Sequence, residues 1–250
     1  MAECKVTLKD VHLHIPVFAP NQLRLIRKSL FSSAIGGNIG EQNGKVHVHA
    51  LQGVSFELKQ GEHLALIGRN GSGKTTLLKL IAGIYPATSG DVMTQGSLGC
   101  LIDLEAGITP EMTGYECIQF QHLMLGDPNE DWHKTAEEVA DFTELGGFLE
   151  LPVRTYSAGM RARLTAAIAT AWPRDILLID EGIGAGDSAF QDKFQARVNN
   201  LLEKAGLLLI ASHSPDLLRK YCSLGLVLLH GEVRMLDNLE TALDYYMQNQ

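Results

Sequence analysis

A glycine-rich segment contains the first residues whose types and spacing could do chemistry. Gly68 to Thr75 reads Gly, four residues, then Gly-Lys-Thr, which is the pattern of a phosphate-binding loop. Its glycines let successive backbone N–H groups turn toward one point, where they bind phosphate oxygens. We expect Lys74 to reach the outer phosphates and the Thr75 hydroxyl to bind Mg²⁺. The residues predicted to hold a nucleotide here are Gly68, Asn70, Gly71, Ser72, Gly73, Lys74, Thr75 and Thr76.

A pair of acids follows the apolar run Ile176 to Ile179, which is long enough for a buried parallel strand. Because ligands of open α/β sheets bind at the carboxyl ends of strands, Asp180 and Glu181 should project toward the phosphate loop. Asp180 suits a Mg²⁺ shell through water, and Glu181 is placed to orient or deprotonate an attacking water. Alone, an acid after four apolar residues is more often a plain strand end. Together with the phosphate loop it indicates a hydrolytic site.

The elements around these residues alternate between strand and helix. The strand His63 to Ile67 precedes the phosphate loop, and a helix from Thr76 to Ile81 follows it. Further strands are predicted near Ser97 to Ile102 and at Leu207 to Ala211, with a helix from Ser188 to Lys204 before the latter. This alternation predicts an α/β fold, a P-loop NTPase core with a parallel central sheet.

Two other parts of the chain differ from this core. Lys5 to Phe18 alternates in two apolar phases, so we expect an edge strand with a bend near Lys9-Asp10. Strand signals also lie at Val46 to Ala50 and Val54 to Leu58, which predicts an N-terminal antiparallel β portion. The region from Asp103 to Leu151 reads as mostly helical. Thr113 to Glu116 fits a capping box at the start of one of its helices.

Bulk composition narrows the class of protein. The chain has 250 residues, a formal net charge of −8 and no long basic run, which weighs against nucleic acid as the main partner. No stretch approaches the roughly 20 apolar residues of a membrane-spanning helix, and the N-terminus lacks the pattern of a signal peptide. The four cysteines are scattered without a CxxC pair, so neither a disulfide framework nor a zinc site is suggested. These features indicate a cytoplasmic protein.

From about Val46 to Leu236 the sequence resembles the nucleotide-binding domains of ABC transporters. The family's signature, most often Leu-Ser-Gly-Gly-Gln, is matched by Tyr156-Ser-Ala-Gly-Met160. The resemblance implies one ABC ATPase domain over 1–250, with a β portion and RecA-like core in 1–102 and 152–250. A helical subdomain then occupies 103–151. It also implies a homodimer that encloses two ATP molecules, in which the residues that complete the partner's site are Ser157, Ala158 and Gly159.

Other roles follow from the same resemblance. His213 resembles the family's switch histidine, which contacts the γ-phosphate, and Asp187 lies in a loop that carries information across the dimer. The family's Gln beside Mg²⁺ is replaced by Asp103 or Glu105, and both alternatives stay open. Phe18 is the candidate for stacking on adenine, although a packing role is about as probable for an aromatic residue there.

A narrower resemblance extends over several stretches, among them Leu101 to Gly114 and Asp180 to Asp187. They look like the ATPase subunits of exporters of O-antigen, capsular polysaccharide and teichoic acid. This implies a separate membrane permease, a lipid-linked glycan as cargo, and a peripheral position on the cytoplasmic side of the inner membrane. The alternatives are an ABC motor for a drug, lipid or lipoprotein, or a soluble ABC-type ATPase. Longer relatives carry a C-terminal glycan-binding β-domain, which we do not expect in the sequence up to Gln250.

Overall fold

A computed structural model describes residues 4–17, 38–42, 45–126, 129–180 and 188–249. The chain divides into two units. The first unit comprises Met1–Leu98, Asp175–Glu181 and Gly206–Gln250, and the second comprises Gly99–Arg174 and Gly182–Ala205. The domain boundaries expected from the sequence, with a helical subdomain at 103–151, stay predictions.

An antiparallel sheet in the first unit has the strand order β2-β3-β1-β5. Its strands are β1 (Lys5–Val17), β2 (Asn38–Gln42), β3 (Lys45–Lys59) and β5 (Ser89–Gln95). The expectation that β1 is an edge strand is wrong, because β3 and β5 pair with its two sides. Strand β5 was not predicted from the sequence. Six of its seven residues are exposed, so it lacks the alternation of apolar and polar residues that indicates a strand.

A β-bulge in β1 explains its two apolar phases. The pairing with β3 shifts register between Leu8 and Val11, and Asp10 at this point has a left-handed backbone with φ 47°. The extra residue returns the following side chains to the face used by the preceding ones. Val6, Leu8, Val11 and Leu13 are accordingly all buried. The bend predicted near Lys9-Asp10 is therefore confirmed.

The second sheet has the order β10-β9-β4-β8-β7-β6. Its strands are β4 (His63–Ile67), β6 (Leu98–Leu101), β7 (Ile176–Ile179), β8 (Leu207–Ala211), β9 (Leu224–Leu229) and β10 (Glu232–Asn238). Strand β4 pairs in parallel with β8 and β9, and β7 pairs in parallel with β8. Strand β10 is antiparallel to β9. Strand β6 begins at Leu98 in the first unit and leads the chain into the second.

The first unit contains the helices α1 (Lys74–Ile81), α6 (Pro215–Tyr221) and α7 (Leu239–Gln248). The second unit contains α2 (Gly114–Leu125), α3 (Trp132–Thr143), α4 (Ala158–Ala169) and α5 (Ser188–Lys204). Its core includes Ile118, Val139, Leu149 and Leu164, all fully buried. Across the described ranges, no helix has both the length and the apolar character needed to cross a membrane.

The predicted capping box at the start of α2 is confirmed. Thr113 Oγ1 accepts a hydrogen bond from the Glu116 backbone N–H at 3.1 Å, and Glu116 Oε2 accepts one from the Thr113 N–H at 2.7 Å. The two bonds satisfy two N–H groups that have no partner within the helix. The bond from the Thr113 N–H, followed by an interaction with the Thr113 hydroxyl, holds the pKa of the Glu116 carboxyl below its usual range.

Loss of this cap should destabilise the second unit measurably. Thr113→Ala is expected to lower its free energy of unfolding by about 1 kcal/mol, because the Glu116 N–H loses its acceptor. Urea unfolding followed by far-UV circular dichroism measures the change. Thr113→Ser keeps the hydroxyl and should lose much less. Equal losses in the two variants would show that the methyl group, not the cap, matters.

Candidate functional site

The phosphate loop connects β4 to α1 in the first unit, as the sequence predicts. Gly73 caps α1 with a left-handed backbone, φ 109°, which glycine adopts without steric cost. A Cβ atom on Gly68 would lie 2.4 Å from the Leu228 carbonyl oxygen and 2.6 Å from Ser72 Oγ. The loop can therefore take this compact course only with glycine at position 68.

Lys74 is the first residue of α1, and only 8% of it is exposed. Its Nζ donates hydrogen bonds to the carbonyl oxygens of Gly68, at 2.6 Å, and Arg69, at 3.2 Å. These carbonyls stabilise an ammonium group that has lost most of its water. They also hold the positive charge inside the curve of the loop, where it can attract an anion.

Two hydrogen bonds join side chains that follow three neighbouring parallel strands in the sequence. Thr75 Oγ1 donates to Asp180 Oδ2 at 2.5 Å, and Asp180 immediately follows β7. His213, which lies two residues after β8, has Nε2 at 2.9 Å from Asn70 Oδ1 in the phosphate loop. Because β4, β8 and β7 run in parallel, their carboxyl ends meet at one edge of the sheet. The predicted residues Lys74, Thr75, Asp180 and His213 are thus brought together.

A cavity of about 450 Å³ opens beside the loop. Asn70, Gly71, Gly73, Lys74, Thr75, Thr76 and Asp180 form its polar side. Ile15 from β1 and Val48 and Ala50 from β3 line it as well, together with His230 and Gly231. An apolar wall next to a phosphate-binding loop suits a ligand with one flat apolar part and one anionic part. The sequence placed Ile15 in an apolar strand phase and connected the strand predicted over Lys5 to Phe18 with the site through Phe18 alone, and it gave no connection between β3 and the site.

The turn between β9 and β10 is hydrogen-bonded to the phosphate loop. The Gly231 N–H donates to the Ser72 carbonyl oxygen at 2.9 Å, and the Gly231 carbonyl oxygen accepts from the Gln52 N–H at 2.8 Å. Gln52 Nε2 also donates to the His230 carbonyl oxygen at 3.0 Å. These bonds tie β3, the turn and the loop into one network. Nothing in the local sequence marks this role, since all of the bonds use backbone groups at one or both ends.

The signature residues lie in the second unit, at the start of α4. Ser157 caps this helix, and its Oγ accepts from the Met160 N–H at 3.2 Å. Ser157, Ala158 and Gly159 are exposed. Directly before them, Tyr156 is buried and its hydroxyl donates to the Phe148 carbonyl oxygen at 2.7 Å. Burial is the main reason that the pKa of Tyr156 rises to about 12, so the hydroxyl stays protonated and keeps this bond.

The two residues considered as replacements for the family's glutamine also lie in the second unit. Asp103 Oδ1 accepts from the Glu105 backbone N–H at 3.2 Å. The Glu105 carboxylate lies 3.7 Å from Arg161 Nε of α4, so it forms an exposed ion pair with the signature helix. Three further predicted residues, Phe18, Glu181 and Asp187, fall outside the described residues.

Comparison with known proteins agrees with this geometry. The family described as "ABC transporter" matches residues 51–184. The O-antigen export system ATP-binding protein of Yersinia enterocolitica is 43% identical over 224 residues, which cover 89% of this chain and 93% of that protein. The teichoic acids export ATP-binding protein of Bacillus anthracis is 36% identical over 82% of this chain but 37% of its own length. The chain therefore spans little more than a third of that second relative.

A dimeric post-hydrolysis structure of an ATP-binding cassette bound to ADP and Pi superposes with a TM-score of 0.64 and 21% identity. The match covers 94% of this chain and 98% of that one. It shows the fold, an α/β cassette with an antiparallel sheet and a mixed sheet, and confirms the predicted fold class. The family match and the Yersinia relative confirm the predicted family. The chain belongs to the ABC transporter family and is one of its ATP-binding ATPases.

Proposed function

We propose that this chain is the ATP-hydrolysing motor of an exporter of lipid-linked polysaccharide, and that it acts as a homodimer on a separate permease. The observation that carries the ATPase mechanism is the convergence of Lys74, the Thr75–Asp180 bond and the Asn70–His213 bond beside one cavity. The cargo class rests on the relatives, which are named for export of O-antigen and teichoic acids.

The triphosphate is bound by the loop and the first turn of α1. Lys74 Nζ exchanges its carbonyl acceptors for the β- and γ-phosphates, while the positive end of α1 adds a favourable field. Ser72 Oγ is buried and has no hydrogen-bond partner among the described residues, but Ser72 is not among the residues that line the cavity. The apolar wall of Ile15, Val48 and Ala50 accommodates the adenine, with Phe18 as the proposed stacking residue.

The metal that accompanies the nucleotide is Mg²⁺. Thr75 Oγ1 and Asp180 Oδ2 are hard oxygen donors already held together, which fits an ion that takes few protein ligands and keeps several waters. Asp103 is a proposed further ligand, acting through water. The ion supplies positive charge that neutralises the developing charge on the phosphates.

Hydrolysis requires a group that orients the attacking water and a second group at the γ-phosphate. Glu181, the residue after Asp180, is proposed to accept the proton of that water. His213 is proposed to contact the γ-phosphate, and its bond to Asn70 fixes the imidazole next to the phosphate loop.

The second ATP-binding surface comes from the partner protomer. Ser157, Ala158 and Gly159 are exposed at the N-terminus of α4, whose positive dipole end suits a phosphate. They are proposed to contact the γ-phosphate of ATP held by the other protomer, while Asp187 carries the state of one site to the other. Two ATP molecules then close the dimer, closure moves the permease, and hydrolysis reopens it.

Removal of the loop lysine should weaken nucleotide binding. Lys74→Ala is expected to raise the Kd for ATP at least tenfold, because the phosphates lose a charged hydrogen-bond donor. Titration with a fluorescent ATP analogue measures it. Lys79→Ala on the same helix removes an equal charge without touching the loop and should bind normally. An unchanged Kd in the Lys74 variant would contradict the phosphate-binding role.

Removal of the proposed base should separate binding from turnover. Glu181→Gln is expected to bind ATP with the affinity of the unchanged protein and to lower kcat at least a hundredfold, since a general base contributes about 10²–10⁴. Phosphate release measures kcat, and size-exclusion chromatography with ATP should show more dimer. Glu150→Gln, at an exposed carboxylate of the second unit, is the matched control. Turnover near that of the control would refute the role of Glu181.

The export function is tested by capture of the complex. The Glu181→Gln protein with ATP is used to pull down partners from detergent-solubilised membranes of its own organism, which are analysed for proteins and glycolipids. A polytopic permease with a lipid-linked glycan is the expected result. A permease with a drug, lipid or lipoprotein would overturn the cargo class. Soluble partners alone would overturn the transport role and leave the ATPase assignment intact.

A further inference from the structure

Four of the nine histidines lie in two His-x-His sequences on neighbouring strands of the first unit. His12 and His14 belong to β1, and His47 and His49 belong to β3. Because side chains alternate along a strand, the two histidines of each sequence share a face. None of the four takes part in the ATPase site described above.

The antiparallel register brings the two pairs together. His14 lies directly opposite His49, and His47 lies opposite Pro16, two positions further along β1. The ring centroids of His14 and His49 are 4.2 Å apart with a 53° tilt, and those of His12 and His14 are 6.4 Å apart. The four imidazoles therefore form one group on one face of the sheet.

The surroundings of His14 favour its neutral imidazole. Burial is the main cause that lowers the pKa of His14, and the charges that His49, His12 and His47 would carry lower it further. His12 Nε2 also lies 3.3 Å from Asp10 Oδ1. Neutral imidazole is the form that binds transition metals, and a ligating histidine is often oriented by a carboxylate at its second nitrogen.

We propose that His14 and His49 form a binding site for a divalent transition-metal ion such as Zn²⁺, with His12 and His47 as the flanking imidazoles. Two rings on one metal, with metal–nitrogen distances near 2.0–2.1 Å, have centroids roughly 4.5–5 Å apart, and the centroids of the observed pair are 4.2 Å apart. Among the described residues, no three His, Cys, Asp or Glu side chains are already arranged to hold a metal. The site is therefore built on the opposed pair, and water or a rotated flanking ring completes it.

The proposed metal site lies on the same two strands as the apolar wall of the nucleotide cavity. Ile15 and Val48 follow and precede the paired histidines in sequence, face the other side of the sheet and line the cavity. A metal that joins His14 to His49 would cross-link β1 to β3 at the apolar wall. The proposal is independent of the cargo and of hydrolysis.

Calorimetric titration of Zn²⁺ into the tag-free, chelator-treated full chain tests the site, with excess Mg²⁺ present to occupy the hard oxygen ligands. We expect one Zn²⁺ per chain. His14→Asn with His49→Asn should weaken binding at least tenfold, because both imidazole ligands are lost. His133→Asn, at an exposed histidine of the second unit, should bind as the unchanged chain does. Zn²⁺ should raise the Tm of the unchanged chain and not that of the double variant.

X-ray absorption at the zinc edge of the unchanged chain gives a readout that does not depend on how well a variant folds. Imidazole nitrogens near 2.0–2.1 Å support the site, whereas a sulfur shell near 2.3 Å would assign the metal to cysteine and overturn it. Equal Kd values for the double variant and the unchanged chain would overturn it too. So would zinc binding that disappears in the presence of Mg²⁺.

Discussion

The parallel pairing of β4 with β8, and of β8 with β7, is the constraint on which the rest of the site depends. Residues of all three strands are almost entirely buried, so the register is fixed by packing on both faces. That register places the phosphate loop, Asp180 and His213 at one edge. Side chains that are more than one hundred residues apart in sequence thereby come within hydrogen-bond distance, as the Thr75–Asp180 pair shows.

The phosphate loop keeps its shape through its own backbone and its neighbours. Lys74 is solvated by two loop carbonyls, and the Ser72 carbonyl oxygen accepts a hydrogen bond from Gly231. The backbone of a loop held in this way can keep its course while Lys74 Nζ exchanges these carbonyls for phosphate oxygens, and preorganised backbone donors are a main source of electrostatic stabilisation in active sites. The same compactness explains why Gly68, pressed against the Leu228 carbonyl, tolerates no side chain.

Strands that are buried could be predicted from the sequence, and the strand that is mostly exposed could not. The bounds of β4, β7 and β8 were predicted because fully buried parallel strands are continuous apolar runs, and Thr113 was identified because a cap is a local interaction. Strand β5 was missed because nearly all of it is exposed, which led to the wrong edge position for β1. The cavity wall and the His230–Gly231 turn could not be predicted, because they reach the loop through long-range pairing and backbone bonds.

The pleat of β1 and β3 makes two surfaces out of the same residues. Positions 15 and 48 face the nucleotide cavity, and their neighbours His14 and His49 face the opposite side. A one-residue slip would exchange these faces, so the register that forms the apolar wall also sets the imidazoles opposite each other. Because of the bulge at Asp10, Val6 and Leu8 before it and Val11 and Leu13 after it are all buried in the core. The wall of the ATP site and the histidine group are therefore positioned by the same pairing of β1 with β3. A substitution that shifts this register would displace both.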